Sequence, residues 1–137
     1  MKVSSFEAVR DAVGELFIQT YPDASFDLLW IAFHDFDRLF EGRLSDYRGC
    51  DTIYHDKQHS LDVTLAVARL IAGHEASVDE EDKLGNERAV MGLMCALFHD
   101  AGYIRRSGEP KRRNGAEFTA WHVSRSARFL RRYLASV

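Results

Sequence analysis

The chain has 137 residues, which is enough for one domain with its own hydrophobic core. Its hydrophobic fraction of 46% and charged fraction of 28% are typical of a globular protein, and no apolar run approaches the ~20 residues of a membrane span. The net charge of −3 makes nucleic acid an unfavourable partner, and no signal-peptide core follows Met1. We therefore expect a single cytoplasmic domain over residues 1–137.

Two helices are predicted before residue 43. The motif Ser4-Ser5-Phe6-Glu7 is typical of a capping box, and Tyr21-Pro22 ends the helix that it starts. A second helix is predicted from about Ser25, with Gly42 as its C-terminal cap. Its apolar stripe contains Leu29, Trp30, Phe33, Phe36 and Phe40.

The third and fourth helices are predicted on either side of an acidic segment. The third covers about 56–74 and is broken by Gly73 and then by residues 75–79. The run Asp79-Glu80-Glu81-Asp82 is predicted to start the fourth, because carboxylates stabilise the positive end of a helix. This fourth helix is apolar on nearly every side, which favours a central position. Its apolar residues are Ala89, Val90, Leu93, Met94, Leu97 and Phe98.

The C-terminal part combines a basic loop with one more helix. The loop covers 102–113, and the helix begins near Asn114. The predicted apolar positions of this last helix are Phe118, Trp121, Ala127, Leu130 and Leu134. Because no segment alternates with the period of a strand, the predicted class is all-α, a bundle of about five helices. The two cysteines, Cys50 in a polar loop and Cys95 in an apolar helix, favour neither a disulfide nor a zinc–thiolate site.

Two short motifs contain residue types that bind metals. His55 and His59 are four residues apart, so on a helix they project from one face. The pair His99-Asp100 follows the most apolar helix, where a polar pair needs a partner or a function. Imidazoles and a carboxylate are ligands of zinc, iron and manganese. Asp62 follows His59 by one turn and is a candidate to accept the second N–H of that imidazole.

The other histidines are not predicted to bind metal. His34-Asp35 is a second His-Asp dipeptide, but it falls on the more polar side of the second helix, away from the aromatic stripe. We interpret it as a surface pair. His74 is interpreted as a helix C-terminal residue, where a cation suits the dipole. His122 follows Trp121 in the last helix and is a weaker candidate for a site.

The two motifs together resemble the HD-domain metal-dependent phosphohydrolases. The block Tyr54-His55-Asp56-Lys57-Gln58-His59-Ser60-Leu61-Asp62-Val63 is followed by Leu97-Phe98-His99-Asp100-Ala101-Gly102-Tyr103, and the likeness extends over about residues 25–135. It is closest to small bacterial members that share motifs with cyclic-nucleotide phosphodiesterases. The resemblance implies a helical bundle around a divalent metal (Mn, Fe, Zn, Mg or Ni). It implies His59, His99 and Asp100 as metal ligands, with Asp100 therefore part of the catalytic group, and His55 as a general acid.

The chain departs from this family pattern after Asp100. The family has a further aspartate from a later helix, whereas the only later acids here are Glu109 and Glu117. Either the chain is C-terminally incomplete relative to the family, or another group takes that position. Glu117 is the one candidate that falls in a predicted helix, and in relatives a glutamate near there usually supports the site from outside the ligand set. Asp56 also stands where relatives usually have Asn.

The basic loop has two interpretations. Residues 101–137 contain nine Lys or Arg and two Asp or Glu, and the densest cluster contains Arg105, Arg106, Lys111, Arg112 and Arg113. These side chains are either a solvated complement to the acidic remainder of the chain or an anion site. In the second case Arg105, Arg106, Arg112 and Arg113 would hold the phosphate of a substrate.

Two functional hypotheses follow from these motifs. In the first, the protein is a phosphohydrolase that acts on a nucleotide or another small phosphate ester through a metal-activated water. In the second, a truncated or degenerate domain of this type binds metal or nucleotide without turnover, or is an interaction module. If further helices are missing, apolar residues of the fourth and fifth helices would be exposed, which favours a homodimer. The residues at risk of exposure are Leu93, Leu97, Trp121 and Leu130.

Overall fold

The fold is all-α, as the sequence predicts. The computed structural model describes residues 5–42, 57–101 and 122–137. Within these ranges there is no strand, and no helix is both long and apolar enough to cross a membrane. The elements are α1 (Phe6–Thr20), α2 (Asp27–Phe40), α3 (Lys57–Ser77), a 3₁₀ turn (Glu80–Asp82), α4 (Asn86–Phe98) and α5 (His122–Ser136).

The boundaries of α1 and α2 agree closely with the sequence prediction. Ser5 is the N-cap of α1, and its Oγ accepts a hydrogen bond from the N–H of Ala8 at 3.1 Å. The cap is therefore a single serine, one residue later than the predicted capping box. Tyr21 ends α1, and Gly42, with a φ of 74°, follows α2 in the left-handed conformation that glycine adopts without strain.

The prediction was wrong at the junction of the third and fourth helices. Gly73 does not break α3, which continues one further turn to Ser77. The acidic run forms a separate 3₁₀ turn, and α4 begins later, at Asn86. Gly85 precedes it with φ 83° and ψ 162°, a backbone conformation that is nearly exclusive to glycine. One interior glycine costs α3 only about 1 kcal/mol, which its tertiary contacts outweigh.

The core lies between α3 and α4, with α1 packed on α3 and with α2 and α5 packed on α4. Trp30 belongs to the predicted aromatic stripe but is 43% exposed. The helix α4 is central, as predicted, because it packs on α2, α3 and α5, although Arg88, Met91 and Cys95 form an exposed side. The largest side chains in the core are Phe33, Phe36, Phe98, Leu29, Leu39, Leu61, Leu93, Met94 and Leu97.

The two apolar residues of α4 that were expected to be exposed are buried. Leu93 is 2% exposed and Leu97 is fully buried within the single chain. Leu93 and Leu97 therefore offer no apolar surface to a second copy of the chain, and Trp121 lies outside the described residues. On α5 the buried face contains Phe129 and Tyr133, with Leu130 and Leu134 partly buried, whereas Ala127 is exposed. The homodimer stays a prediction without this support.

Candidate metal centre

Three side chains from two helices converge at one end of the bundle. Nε2 of His59 lies 3.4 Å from Oδ2 of Asp100, and Nε2 of His99 lies 3.2 Å from the same oxygen. One candidate ligand atom from each of the three residues lies within 4.8 Å of the other two. The imidazole rings of His59 and His99 are 5.3 Å apart between centroids, at an interplanar angle of 62°. Two nitrogens and a carboxylate are thus close enough to share one ion.

The first turn of α3 positions His59. Lys57 opens this helix, and its ammonium group forms ion pairs with Asp37 and with Glu41, the second at 3.2 Å. Both carboxylates lie at the C-terminal end of α2. The same ammonium lies 5.2 Å from the centroid of the Phe6 ring. These contacts connect the start of α3 to α1 and α2, and His59 follows two residues later.

The end of α4 positions His99. This residue is the C-cap, and its Nδ1 lies 2.7 Å from the carbonyl oxygen of Ala96. Because a carbonyl can only accept, Nδ1 carries the proton of this hydrogen bond. In the neutral ring, Nε2 then has the free lone pair, which is the state that binds a metal. The hydrogen bond to Ala96 therefore places the proton of the neutral ring on Nδ1 and orients the ring with Nε2 towards Asp100.

Asp100 is the buried member of the group. It is 2% exposed, whereas the side chains of His59 and His99 are 42% and 34% exposed. A buried carboxylate is unfavourable unless a cation or hydrogen-bond donors compensate for it. In the protein without metal, the hydrogen bond with Asp100 raises the pKa of His99 although burial opposes this. The group thus has a buried anion at its base and two more accessible imidazoles.

Asp62 is the one further predicted site residue within the described ranges, and it does not join this group. Asp62 is exposed, and its Oδ1 accepts a hydrogen bond from Gln58 at 2.8 Å. The carboxylate that faces His59 is instead that of Asp100. The other predicted site residues lie outside the described residues: His55, Glu117, Arg105, Arg106, Arg112 and Arg113.

The interpretation of His34-Asp35 as a plain surface pair was wrong for Asp35. Its Oδ2 accepts a hydrogen bond from the hydroxyl of Tyr133 at 2.7 Å, which joins α2 to α5. His34 is exposed, and its ring lies 4.9 Å from that of Trp30. No local sequence pattern predicts the Asp35 contact, because its partner is 98 residues away.

Sequence analysis also missed Glu75, which is 5% exposed. Its carboxylate accepts hydrogen bonds from the hydroxyl of Tyr21 at 2.8 Å, from the N–H of Leu84 at 2.8 Å and from the N–H of Gly85 at 3.3 Å. It joins α3 to the end of α1 and to the start of α4. These bonds satisfy both carboxylate oxygens, so Glu75 has a structural explanation.

A second acidic group lies away from the histidines. Asp79, Glu81 and Asp82 could bring their carboxylate oxygens within 4.8 Å of one another, but all three are exposed. Exposed carboxylates are well solvated without an ion. His59, His99 and Asp100 are thus the better candidate site within the described ranges.

No protein-family model, curated protein or solved structure matches this chain.

Proposed function

We propose that this protein is a metal-dependent phosphohydrolase that acts on a nucleotide or another small phosphate ester. The observation that carries the proposal is the approach of His59, His99 and Asp100 to within 4.8 Å of one another. These three residues come from the two motifs that resemble the HD-domain family. His59 lies on α3, and His99 and Asp100 lie at the end of α4. The two histidines are 40 residues apart in the chain.

The donor set fits a divalent transition metal. Imidazole nitrogen suits zinc, iron and nickel, and a carboxylate oxygen is a ligand for each of them and for manganese. Three protein ligands leave positions for water or substrate, as in catalytic sites. A metal bound here would supply a water acidic enough to be present as hydroxide near neutral pH.

Each of the three residues has a definable task in this proposal. His59 and His99 offer Nε2 atoms, and the Nδ1–H of His99 is held by Ala96. Asp100 supplies a buried negative charge that a cation would neutralise. The general acid His55 and the four arginines proposed to bind phosphate are assigned from the sequence alone, since they lie outside the described residues.

An alternative is a protein that binds metal without turnover. It is supported by residues 101–137, whose acidic residues are Glu109 and Glu117 rather than the aspartate of the family pattern. If neither Glu109 nor Glu117 takes the place of the missing carboxylate, the ion has three protein ligands and is held more weakly. This alternative shares the metal centre and differs only in the chemistry.

Elemental analysis combined with a substrate panel separates these possibilities. The purified protein is analysed for bound metals and assayed on phosphate monoesters, diesters and nucleotides with added Mn²⁺, Fe²⁺, Zn²⁺, Mg²⁺ or Ni²⁺. We expect one metal to bind and to support turnover, and His99→Ala to lose both. The matched control is His74→Ala, an exposed histidine near the other end of α3.

Each other outcome has a definite meaning. Metal binding without turnover on any ester favours the alternative. Absence of metal in the wild-type protein after reconstitution rejects the proposed function as a whole.

A further inference from the structure

We infer that α5 holds the pair His99-Asp100 in its ligand geometry, with Tyr133 as the positioning residue. The inference rests on the metal centre proposed above, but its contacts belong to this chain alone. His99 and Asp100 lie beyond the last helical residue of α4, Phe98. Their placement therefore depends on what holds Phe98.

Phe98 is held by a cluster of aromatic rings. It is 1% exposed, and its ring centroid lies 5.3 Å from that of Phe129 and 4.9 Å from that of Tyr133. The ring of Phe36, on α2, approaches it edge-on at 6.2 Å. Both rings from α5 thus contact the residue directly before the His-Asp pair.

Tyr133 also connects α5 to α2 through its hydroxyl. The O–H donates to Oδ2 of Asp35 at 2.7 Å, and Asp35 directly precedes Phe36 on α2. Tyr133 is 8% exposed. One side chain therefore contacts Phe98 with its ring and fixes its own position with a directional hydrogen bond.

This arrangement matters because a metal site tolerates little displacement. Ligands that are not held to within about 0.5 Å by their surroundings bind less tightly. Helix ends fray, and the end of α4 is where the two ligands lie. The ring cluster and the Tyr133–Asp35 bond oppose this fraying from two other helices.

The experiment compares Tyr133→Phe with Tyr21→Phe. Both tyrosines donate a hydrogen bond to a carboxylate on another helix, at 2.7 and 2.8 Å. Tyr21 bonds to Glu75, which lies about 24 Å along α3 from His59 at 1.5 Å per residue. Each substitution removes one hydroxyl and keeps the ring, so Tyr21→Phe controls for a general loss of stability.

Two quantities are measured well below the unfolding temperature. The first is the hydrogen-exchange rate of the backbone amides of residues 97–101 in the metal-free protein. The second is the affinity for Zn²⁺, measured by competition with a chromogenic chelator. For Tyr133→Phe we expect roughly tenfold faster exchange and roughly tenfold weaker binding, the low end of the range for residues that support metal ligands. Tyr21→Phe should leave both near wild type.

Asp35 provides a rescue test. Asp35→Asn keeps an acceptor for the Tyr133 hydroxyl and should resemble the wild-type protein, whereas Asp35→Leu should resemble Tyr133→Phe. Equal exchange and equal affinity in the two tyrosine variants would overturn the inference. If the wild-type protein binds no Zn²⁺ or other metal, the proposed function fails, while the exchange rates still decide whether α5 holds the end of α4.

Discussion

Nε2 of His59 lies 3.4 Å from Oδ2 of Asp100, although the two residues are 41 positions apart in the chain. The first belongs to the opening turn of α3 and the second follows the end of α4. The packing of these two helices brings a nitrogen ligand onto a buried carboxylate.

Asp100→Asn should reduce metal affinity more than any change outside the ligand set. Losing a partner outside the ligand set typically costs 10–100-fold, and Asp100 would be a direct ligand with the only negative charge of the three. The measurement is chelator competition with the purified variant. Asp82→Asn, at an exposed carboxylate, is the control and should bind metal as the wild type does. Unchanged affinity for Asp100→Asn would remove it from the metal centre.

Metal should stabilise the folded protein. An ion that binds only the folded state adds about 2.7 kcal/mol to the free energy of unfolding at a free concentration one hundred times its Kd. Thermal unfolding followed by circular dichroism, with and without a chelator, measures this effect. His99→Ala should show the same unfolding temperature in both conditions. A metal-dependent shift that persists in this variant would place the ion elsewhere.

Glu75 should make stability depend on pH on the acid side. Burial raises the pKa of this carboxyl, but hydrogen bonds from Leu84, Tyr21 and Gly85 outweigh it, and the pKa is lower than usual. A group whose folded-state pKa is depressed stabilises the fold above its unfolded pKa of about 4.3, and loses this contribution as pH falls through the folded value.

The test for Glu75 is urea unfolding from neutral pH to about pH 3, below the ordinary glutamate pKa. Glu75→Gln should be less stable than wild type at neutral pH and should lose less stability on acidification. Glu15→Gln, at an exposed position of α1, is the control and should follow the wild-type curve. Parallel curves for Glu75→Gln and wild type would show that this carboxylate does not contribute.

Substitution by alanine should lower the free energy of unfolding at one glycine and raise it at another. At Gly85 a Cβ meets no atom within 4 Å, but φ is +83°, so Gly85→Ala should cost on the order of 1–3 kcal/mol in backbone strain. Gly73 lies inside α3 with equally open space, so Gly73→Ala should stabilise by about 0.5–1 kcal/mol. The free energies of unfolding in urea measure both. Equal effects would contradict the assigned conformation of Gly85.

Replacing a buried and an exposed leucine with alanine should change the free energy of unfolding by very different amounts. Leu97 is fully buried two residues before His99, and Leu97→Ala should cost about 2–5 kcal/mol. Leu70 is 72% exposed on α3, and Leu70→Ala should change stability by less than about 0.5 kcal/mol. Denaturant unfolding gives both values. A small cost at Leu97 would mean that α4 is not central.

Local sequence patterns determined most of the helices. Apolar residues at helical spacing predicted α1 and α2, and Ser5, Tyr21 and Gly42 mark their ends because caps depend on residues close in the chain. The two histidine motifs predict His59, His99 and Asp100 as metal ligands, whereas the packing of α3 and α4 decided that these side chains lie close together. Their chemistry is local, since each motif contains ligand types at a suitable spacing.

Tertiary structure determined the length of α3, for which the local signals competed, and the hydrogen bonds between residues that are distant in the chain. The helix α3 continues through Gly73, because packing outweighs the small intrinsic cost of one glycine. Asp35 bonds to Tyr133 and Glu75 bonds to Tyr21, over separations of 98 and 54 residues. No periodicity encodes such contacts. They exist because the folded core removes much of the water around the half-buried Asp35 and the buried Glu75, and loss of water without hydrogen-bond donors would be unfavourable.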